Sequence, residues 1–239
     1  MKVHRFLIKN CNLSTRLLRF YDHEVVNQIK NVLKLRVGEE LMVGDGNENE
    51  ARVRILEIKK DFVEGEVLEV FKNTNELDAA VVLYCSLLKR ENFEWVVQKA
   101  TEVGVSEIVP VIAKRTIKLG LNIGRLEKIA KEAAEQSARG RVPVLHEALL
   151  LRDALQDAHL NMVNLFFDKS GKSSDDGTYL QGERIGVFIG PEGGWDESEI
   201  ELAKEKKCRI VSLSPLTLRA ETAAVVASYL AGHFYKNSK

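Results

Sequence analysis

From residue 75 onward, short apolar β-rich runs alternate with longer stretches of helical periodicity, and this alternation constrains the fold more than any other feature. The predicted strands are residues 79–88, 108–112, 142–145, 162–167, 184–189 and 208–213. The predicted helices are residues 93–103, 125–139 and 150–157, one that opens at Asp196, and a last one at 223–235. Strict alternation of this kind predicts a parallel sheet covered by helices on both faces.

Residues 1–73 have a different pattern, in which short runs alternate between apolar and polar side chains. The alternating runs and the turns between them are 41–43, Asp45-Gly46, 51–56, Lys60-Asp61 and 62–67. This spacing favours a small antiparallel β-barrel, with one short helix predicted at 22–33. We therefore predict two domains, a β-barrel domain at 1–73 and an α/β domain at 74–239.

Composition excludes several classes of protein. Lysine plus arginine equal aspartate plus glutamate at 35 each, so the overall charge gives no field that would steer a polyanion, and any contact with one must use local basic patches. The cysteines and histidines form no Cys-x-x-Cys and no His pair at helical spacing, which predicts neither a disulfide nor a bound metal. No apolar run is long enough for a membrane span and the start lacks a signal-peptide pattern, so we expect a cytoplasmic protein with no membrane contact.

Two strand-to-helix loops near the C-terminus carry the most specific residues. Residues 190–195 read Gly-Pro-Glu-Gly-Gly-Trp, and residues 212–223 read Ser-Leu-Ser-Pro-Leu-Thr-Leu-Arg-Ala-Glu-Thr-Ala. Ligands of open α/β sheets bind outside the carboxyl ends of the strands, so both loops are expected at a binding site. A stiff glycine-rich turn suits a flat ring held by main-chain groups, and the residues of a triphosphate loop or a dinucleotide fingerprint are absent from the sequence.

Each loop also has a simpler interpretation. The run from Gly190 to Gly194 fits an ordinary turn ahead of a helix that is capped by Asp196 and Glu199. Arg219 and Glu221 fit a structural ion pair or ordinary cap residues of the following helix. The residues alone leave these alternatives open.

The two loops and several other segments resemble the 16S ribosomal RNA uridine-N3 methyltransferases, a branch of the knotted SPOUT methyltransferases. The segments that carry the resemblance are 4–6, 43–46, 98–105, 107–110, 114–115, 134–139 ahead of Pro143, 189–194 and 218–223. They follow one another in order over nearly the whole chain. One departure is Ser214, where the family usually has glycine, and it affects the path of the last cofactor loop.

The resemblance implies a fold, a cofactor and partners. It implies that residues 1–73 form a PUA-like RNA-binding domain and that residues 74–239 form a SPOUT methyltransferase domain with a trefoil knot. It also implies S-adenosyl-L-methionine as cofactor, 16S ribosomal RNA within the assembled small subunit as substrate, and a homodimer. The cofactor-binding residues implied are Phe167, Asp168, Ile189, Gly190, Pro191, Glu192, Gly193, Gly194, Leu213, Ser214, Leu218, Thr222 and Ala223.

Residue chemistry gives the charged groups candidate roles. Glu221 is the candidate for accepting the N3 proton or orienting the uracil edge, and Arg219 offers a planar set of donors to a uracil carbonyl, a phosphate or the cofactor carboxylate. Most lysines in helical stretches fit a solvated face equally well. The candidates for RNA contact are Arg5, Arg16, Lys99, Arg115, Arg139 and Arg141.

Other functions and states stay open at this point. The chain fits a ribose 2′-O methyltransferase or an RNA-binding ribosome-assembly factor with a relic pocket, although the intact loops argue against decay, and a nucleotide-binding oxidoreductase lacks its fingerprint. The helix at 223–235 is apolar nearly all round, which predicts a dimer interface, with burial inside one monomer as the alternative. Its apolar residues include Val225, Val226, Ala227, Tyr229, Leu230 and Phe234.

Overall fold

The chain divides into two units, each built around its own sheet. The first unit contains residues 1–76 and 134–142, and the second contains residues 77–133 and 143–239. The computed structural model describes residues 3–8, 11–116, 120–173 and 183–234. The first unit therefore takes in a segment, 134–142, that lies far beyond residue 73 in the sequence, and the domain boundary at 73 stays a prediction.

The first unit is a five-stranded sheet. Its strands are β1 (His4–Leu7), β2 (Leu17–Phe20), β3 (Glu40–Gly44), β4 (Asn49–Ile58) and β5 (Val63–Lys72). The order is β1-β3-β4-β5-β2, with β1 parallel to β3 and the other pairs antiparallel. Within the described ranges the edge strands β1 and β2 do not pair, so the sheet is a curled half-barrel with one parallel strand pair, where the sequence predicted a small antiparallel barrel.

Alternating side chains of this sheet make the core of the first unit. On β3 and β4 the fully buried side chains are Leu41, Val43, Ala51, Val53 and Ile55. The core is covered by α1 (His23–Asn27), which continues into a π-helical turn (Gln28–Val32), so the helix predicted at 22–33 is confirmed. Asp22 caps α1, because its carboxylate accepts hydrogen bonds from the amides of Glu24 (2.9 Å) and Val25 (3.2 Å).

Segment 134–142 is held in the first unit by polar contacts. The Asn73 side-chain amide donates to the Ala138 carbonyl oxygen at 3.0 Å, and the Glu76 carboxylate pairs with the Arg139 guanidinium at 2.8 Å. Asn73 and Arg139 are both buried. Buried charges require such partners, so these contacts explain why a distant segment joins this unit.

The second unit is a parallel α/β sheet, as the alternating pattern predicts. Its strands are β6 (Ala80–Ser86), β7 (Glu107–Ile112), β8 (Val144–Leu145), β9 (Leu149–Leu150), β10 (Val163–Ser173), β11 (Arg184–Ile189) and β12 (Arg209–Ser212). Its helices are α2 (Arg90–Glu102), α3 (Ile123–Gln136), α4 (Leu151–Asp157, followed by a 3₁₀ turn at Ala158–Leu160), α5 (Glu197–Glu205) and α6 (Ala220–Phe234). The strand order is β12-β10-β11-β6-β7-β8, every pair is parallel, and β9 also pairs with β7.

Helices cover both faces of this sheet. On β6, Tyr84 lies in a buried cluster with Leu155 of α4 and Ala203 of α5. On the opposite face, α6 approaches so closely at Gly232 that an added Cβ would lie 3.6 Å from Val81. The prediction of a sheet covered on both faces is therefore confirmed.

Element boundaries differ from the predictions where polar residues continue an element. Strand β10 runs past the apolar run that ends at Phe167, and its register against β12 shifts between Phe167 and Lys172. Gly171 permits this bulge, because an added Cβ would meet the Val211 backbone. In the described part of the chain, no helix is long and apolar enough to cross a membrane. Tyr235, the last residue of the predicted final helix, lies outside the described residues.

Candidate active site

The carboxyl ends of five neighbouring strands of the second unit enclose a cleft of about 1020 Å³. Three segments form most of its wall: residues 167–169, where the bulge of β10 begins, and the loops that follow β11 and β12. Residues that follow β6 and β7 complete it. This is the edge at which open α/β sheets bind ligands. The location expected for the two C-terminal loops is thus the location observed.

The structure brings nearly all of the candidate cofactor residues together. Those that line the cleft are Phe167, Asp168, Ile189, Gly190, Pro191, Glu192, Gly193, Gly194, Leu213, Ser214, Leu218 and Ala223. Arg219 and Glu221 line the same cleft. Thr222 does not, because it lies half-buried in the first turn of α6. Lys169, Trp195 and Thr217 also line it and lie next to or within the segments predicted for the site. Lys89 and Asn92 line it as well, and they are not among the predicted site residues.

The turn at 190–195 is shaped by its own packing. Gly194 has φ +69°, a left-handed conformation that favours glycine, and its amide donates to the Pro191 carbonyl oxygen at 2.8 Å. Gly190 faces Trp195, whose indole lies 3.1 Å from the position of an added Cβ. The Trp195 indole N–H in turn donates to the Phe167 carbonyl oxygen at 3.1 Å and so joins two of the segments. Both glycines therefore have a role in the turn itself, and the space beside Gly194 is open, so the approach of a ligand to this turn stays a prediction.

The helix after this turn begins with the capping box that the sequence predicts. The Asp196 side chain accepts from the Ser198 amide, and the Glu199 carboxylate accepts from the Asp196 amide at 2.9 Å. Hydrogen bonds from Ser198 and then Lys114 hold the pKa of Asp196 well below its usual range. Buried Glu199 also accepts from the Lys114 amide at 2.8 Å, which fixes the end of β7 against α5.

We expect Glu199→Ala to lower the free energy of unfolding by about 1–3 kcal/mol, because it leaves the amides of Asp196 and Lys114 without their acceptor. Urea denaturation measures the change. Glu201→Ala is the matched control, since exposed Glu201 forms one ion pair in the described part of the chain, with Lys204 on the same helix. Equal stability of the two variants would contradict this role for Glu199.

The loop after β12 accommodates serine where the related family usually has glycine. The Ser214 hydroxyl accepts from the Leu216 amide at 3.1 Å, and Ser214 is not in the left-handed region that would require glycine. The Lys169 ammonium donates to the Thr217 hydroxyl at 2.7 Å, which links this loop to the bulge of β10. Ser214 therefore stabilises the path of the loop.

The charged pair of candidates is free to meet a ligand. Arg219 is exposed at the start of α6, where its carbonyl oxygen accepts from the Ala223 amide, and half-buried Glu221 lies in the first turn. Among the described residues, neither side chain has an ion pair or a hydrogen bond, so they do not form the structural ion pair considered above. Burial, and then the charges of Glu192 and Glu221, raise the pKa of the Cys85 thiol beneath the cleft. Cys85 thus stays neutral, and two carboxylates lie near the end of β6.

The candidate RNA contacts separate by burial. Arg115 is half-exposed at the cleft and donates to the Gly193 carbonyl oxygen at 3.0 Å. Exposed Arg16 and Arg141 form surface ion pairs, and Lys99 pairs with Glu102 within α2. Such surface pairs are weak enough to exchange for a phosphate.

Arg5 and Arg139 are the least accessible of the candidate RNA contacts, and their role stays a prediction. The Arg139 side chain is 5% exposed and pairs with Glu76, and the Arg5 side chain is 16% exposed and pairs with fully buried Glu50 at 3.3 Å. A phosphate cannot reach a guanidinium at this depth without breaking the pair. The sequence around these arginines does not distinguish them from surface arginines, because their ion-pair partners are distant in sequence.

The histidines and cysteines supply no metal centre in the ranges that the structure describes. No group of three or more His, Cys, Asp or Glu side chains is placed to hold an ion there. Burial raises the pKa of Cys208 to about 12, so this thiol is neutral as well.

Fold and cleft together define an α/β unit whose ligand site lies at the carboxyl edge of a parallel sheet, in a chain that also contains a small β-rich unit. Residues 75–231 match the family model of the RNA methyltransferase domain, and residues 21–68 match that of the RNA methyltransferase PUA domain. The chain belongs to the RNA methyltransferase family. The resemblance found in the motifs is thereby confirmed.

Curated relatives and solved structures are similar to this chain over most of its length. It is 31% identical over 220 residues to ribosomal RNA small subunit methyltransferase E of Bacillus subtilis, covering 85% of each chain. The enzyme of that name in Rickettsia conorii is 28% identical, with 95% of this chain and 94% of the relative covered. A Legionella pneumophila methyltransferase solved with bound S-adenosylmethionine has TM-score 0.89 at 27% identity, covering 97% of each chain. The Neisseria gonorrhoeae ribosomal RNA small subunit methyltransferase E, bound to S-adenosyl methionine, has TM-score 0.85 at 28% identity, covering 95% of each.

Proposed function

We propose that this protein transfers a methyl group from S-adenosyl-L-methionine to N3 of a specific uridine in the 16S ribosomal RNA of the small subunit. The observation that carries the proposal is the cleft, in which three segments of adjacent strands meet a carboxylate, Glu221, and a guanidinium, Arg219, that have no partner among the described residues. The relatives named as small-subunit ribosomal RNA methyltransferases, and the structures solved with the cofactor, support it.

The residues of the cleft fit the cofactor. Main-chain groups of the open turn at Gly193 and Gly194 are available to a ring, and Phe167, Leu213 and Leu218 supply apolar surface for it. Ligand pockets usually measure about 300–1000 Å³, so a cleft of about 1020 Å³ holds one such molecule and leaves room for a base. We assign the binding of the cofactor to the bulge of β10 and to the loops after β11 and β12.

The chain's own residues have to align two reactants and move one proton. S-adenosylmethionine supplies, when bound, a methyl group on a positively charged sulfur. Uracil N3 carries a proton, and the ring is a weak nucleophile until that proton leaves. Glu221 accepts the proton in our proposal, while Arg219 donates hydrogen bonds to a uracil carbonyl oxygen that gains negative charge. The rigid loops hold donor and acceptor in line.

The target base must leave its stack to enter the cleft, so the RNA around it has to be bound by other residues. We assign that task to the first unit, with Arg16 and Arg141 as exposed contacts there, and to Lys99 and Arg115 in the second unit. Phosphate contacts of this kind position an RNA without reading its sequence. A cytoplasmic location follows from a ribosomal substrate.

A mass-spectrometric map of ribosomal RNA tests the function directly. Cells that lack the protein should lose one N3-methyluridine from 16S ribosomal RNA, and the purified protein should restore it on small subunits from those cells. Loss of a ribose 2′-O-methyl group would instead favour that activity. An unchanged map, with purified protein that binds subunits without methylating them, would favour an assembly factor.

We also propose that the second unit is a trefoil-knotted SPOUT domain spanning 74–239. Strand β12 lies at the edge of the sheet beyond β10, yet α6, which follows it, returns to pack against β11, β6 and α2. This return path is the one that a knot requires. An experimental structure that traces residues 174–182 decides whether the last helix passes through a loop.

We expect the protein to be a homodimer whose interface includes α6. One side of α6 is buried through Ala224, Ala227 and Ala231, while Val226 and Tyr229 are exposed on another side. Exposed apolar side chains of this size favour a partner surface. The predicted contribution of Phe234 cannot be assigned, because its side chain lies outside the described residues.

Sedimentation equilibrium at micromolar concentration measures the dimer, and Val226→Asp combined with Tyr229→Asp is expected to raise its dissociation constant at least tenfold. Leu160→Asp is the control, because Leu160 is also an exposed apolar residue but lies after α4, away from α6. A wild-type monomer with full activity would refute both the interface and a site completed across it.

A further inference from the structure

The charged residues of the cleft are unevenly placed. Its acidic lining residues, Asp168, Glu192 and Glu221, come from the bulge of β10 and from the loops after β11 and β12, which also contribute Lys169 and Arg219. The residues that follow β6 and β7 contribute only donors, namely Lys89, Asn92 and Arg115. Since β6 and β7 lie on the far side of β11 from β10 and β12, the donors occupy one end of the cleft.

Lys89 is suited to bind an anion. It is exposed at the cleft immediately before α2, and among the described residues its ammonium has neither an ion pair nor a hydrogen bond. Asn92 lies one turn further along and also lines the cleft, with its side-chain amide unpaired in the described part of the chain. Ammonium and amide donors are common phosphate ligands in complexes with nucleic acids.

Arg115 connects this end of the cleft with the glycine-rich turn. Its guanidinium donates to the Gly193 carbonyl oxygen at 3.0 Å and contacts the Asp196 carboxylate at 3.5 Å. Two of its five N–H donors are thereby used, so three are left for a ligand. A ligand held by Arg115 would touch a residue that already fixes the turn.

We propose that Lys89, Asn92 and Arg115 form a subsite for the phosphodiester backbone next to the target uridine, which we call the phosphate subsite. This proposal rests on the proposed function and deepens it, because it names the part of the RNA that the cleft holds beside the base. A phosphate bound there sets the distance of the base from Glu221 through the sugar. Lys89 and Asn92 are positioning residues in this scheme.

Direct binding tests the phosphate subsite. The probe is the small subunit from cells that lack the protein, and its affinity is measured by filter binding at several potassium chloride concentrations. We expect Lys89→Ala to weaken binding about tenfold, since hydrogen bonds to charged groups contribute about 1.5–3 kcal/mol. The slope of log affinity against log salt should also fall by about one, as for the loss of one phosphate contact, and Lys89→Arg should restore both.

Arg90→Ala is the matched control. Arg90 is the next residue, carries the same charge and is exposed, but it pairs with Glu94 and does not line the cleft. It should keep the affinity and the salt slope of the wild type. Affinity for S-adenosylmethionine, measured by calorimetry, should be unchanged in all three variants.

Two results would overturn the phosphate subsite. One is a Lys89→Ala protein whose subunit affinity and salt slope equal those of Arg90→Ala. The other is a loss of cofactor affinity as large as the loss of subunit affinity, which would place Lys89 in the cofactor site. A wild-type protein that binds subunits but transfers no methyl group would overturn the proposed function alone, because the subsite is judged by binding.

Discussion

Replacing Glu221 with glutamine is expected to lower kcat by about 100-fold to 10,000-fold, the range over which a positioned general base contributes. Glutamine keeps the size of the side chain but cannot accept the N3 proton. The affinity for S-adenosylmethionine should change by less than about threefold, since the proposed partner of Glu221 is the base. Methyl transfer to small subunits and calorimetry with the cofactor give the two quantities.

Arg219→Ala is also expected to lower kcat more than it lowers the affinity for S-adenosylmethionine. Its guanidinium is proposed to stabilise charge that develops on a uracil oxygen, and the loss of one such donor costs about 100-fold to 1000-fold in kcat. The control for both variants is Glu197→Gln, because Glu197 also lies in the first turn of a helix but outside the cleft. Equal losses of kcat and of cofactor affinity would show that Glu221 and Arg219 only hold the cofactor or the loop.

The sequence predicts the elements of the second unit well because its signals are local. Apolar runs, the capping box at Asp196 and Glu199, and the turn at Gly194 each lie within a few residues, and the structure contains all three. The placement of β6 between β11 and β7 is not predictable in this way. Parallel strands pair across long connections, and no local pattern records which strand is the neighbour.

Long-range ion pairs explain the low exposure of two candidate arginines. Arg139 is buried and the Arg5 side chain is only 16% exposed, because Glu76 and Glu50, distant in sequence, neutralise them. The same contacts place 134–142 in the first unit. Periodicity and composition do not predict such ion pairs, since the partners are 45 and 63 positions apart in the sequence.

The candidate site shows the same division between local and distant signals. The loops after β11 and β12 are predicted because each joins a strand to a helix and contains unusual residues. Lys89 and Asn92 were missed because they follow a different strand, β6, and only the strand order brings them to the same edge as Glu221. A pattern search along the chain therefore finds the cofactor end of the cleft before the end that we assign to RNA.

Replacing Gly194 with valine is expected to weaken S-adenosylmethionine binding by about 10-fold to 100-fold, corresponding to backbone strain of about 1–3 kcal/mol. Gly194 has φ +69°, where a β-branched residue is a steric outlier, and no atom of the described residues lies within 4 Å of the added Cβ. The effect must therefore come from the path of the turn, or from a ligand that occupies the open space. The overall fold should persist, as judged by circular dichroism.

Two controls separate these causes. Gly194→Asn keeps the left-handed conformation, which asparagine tolerates, so it should retain affinity if strain is the cause and lose it if the ligand fills the space. Gly38→Val introduces a similar strain at φ +91° in the first unit and should leave cofactor affinity unchanged. Near-normal cofactor affinity in Gly194→Val would show that the glycine-rich turn is not part of the cofactor site. The bulge of β10 and the loop after β12 would then have to bind the cofactor without this turn.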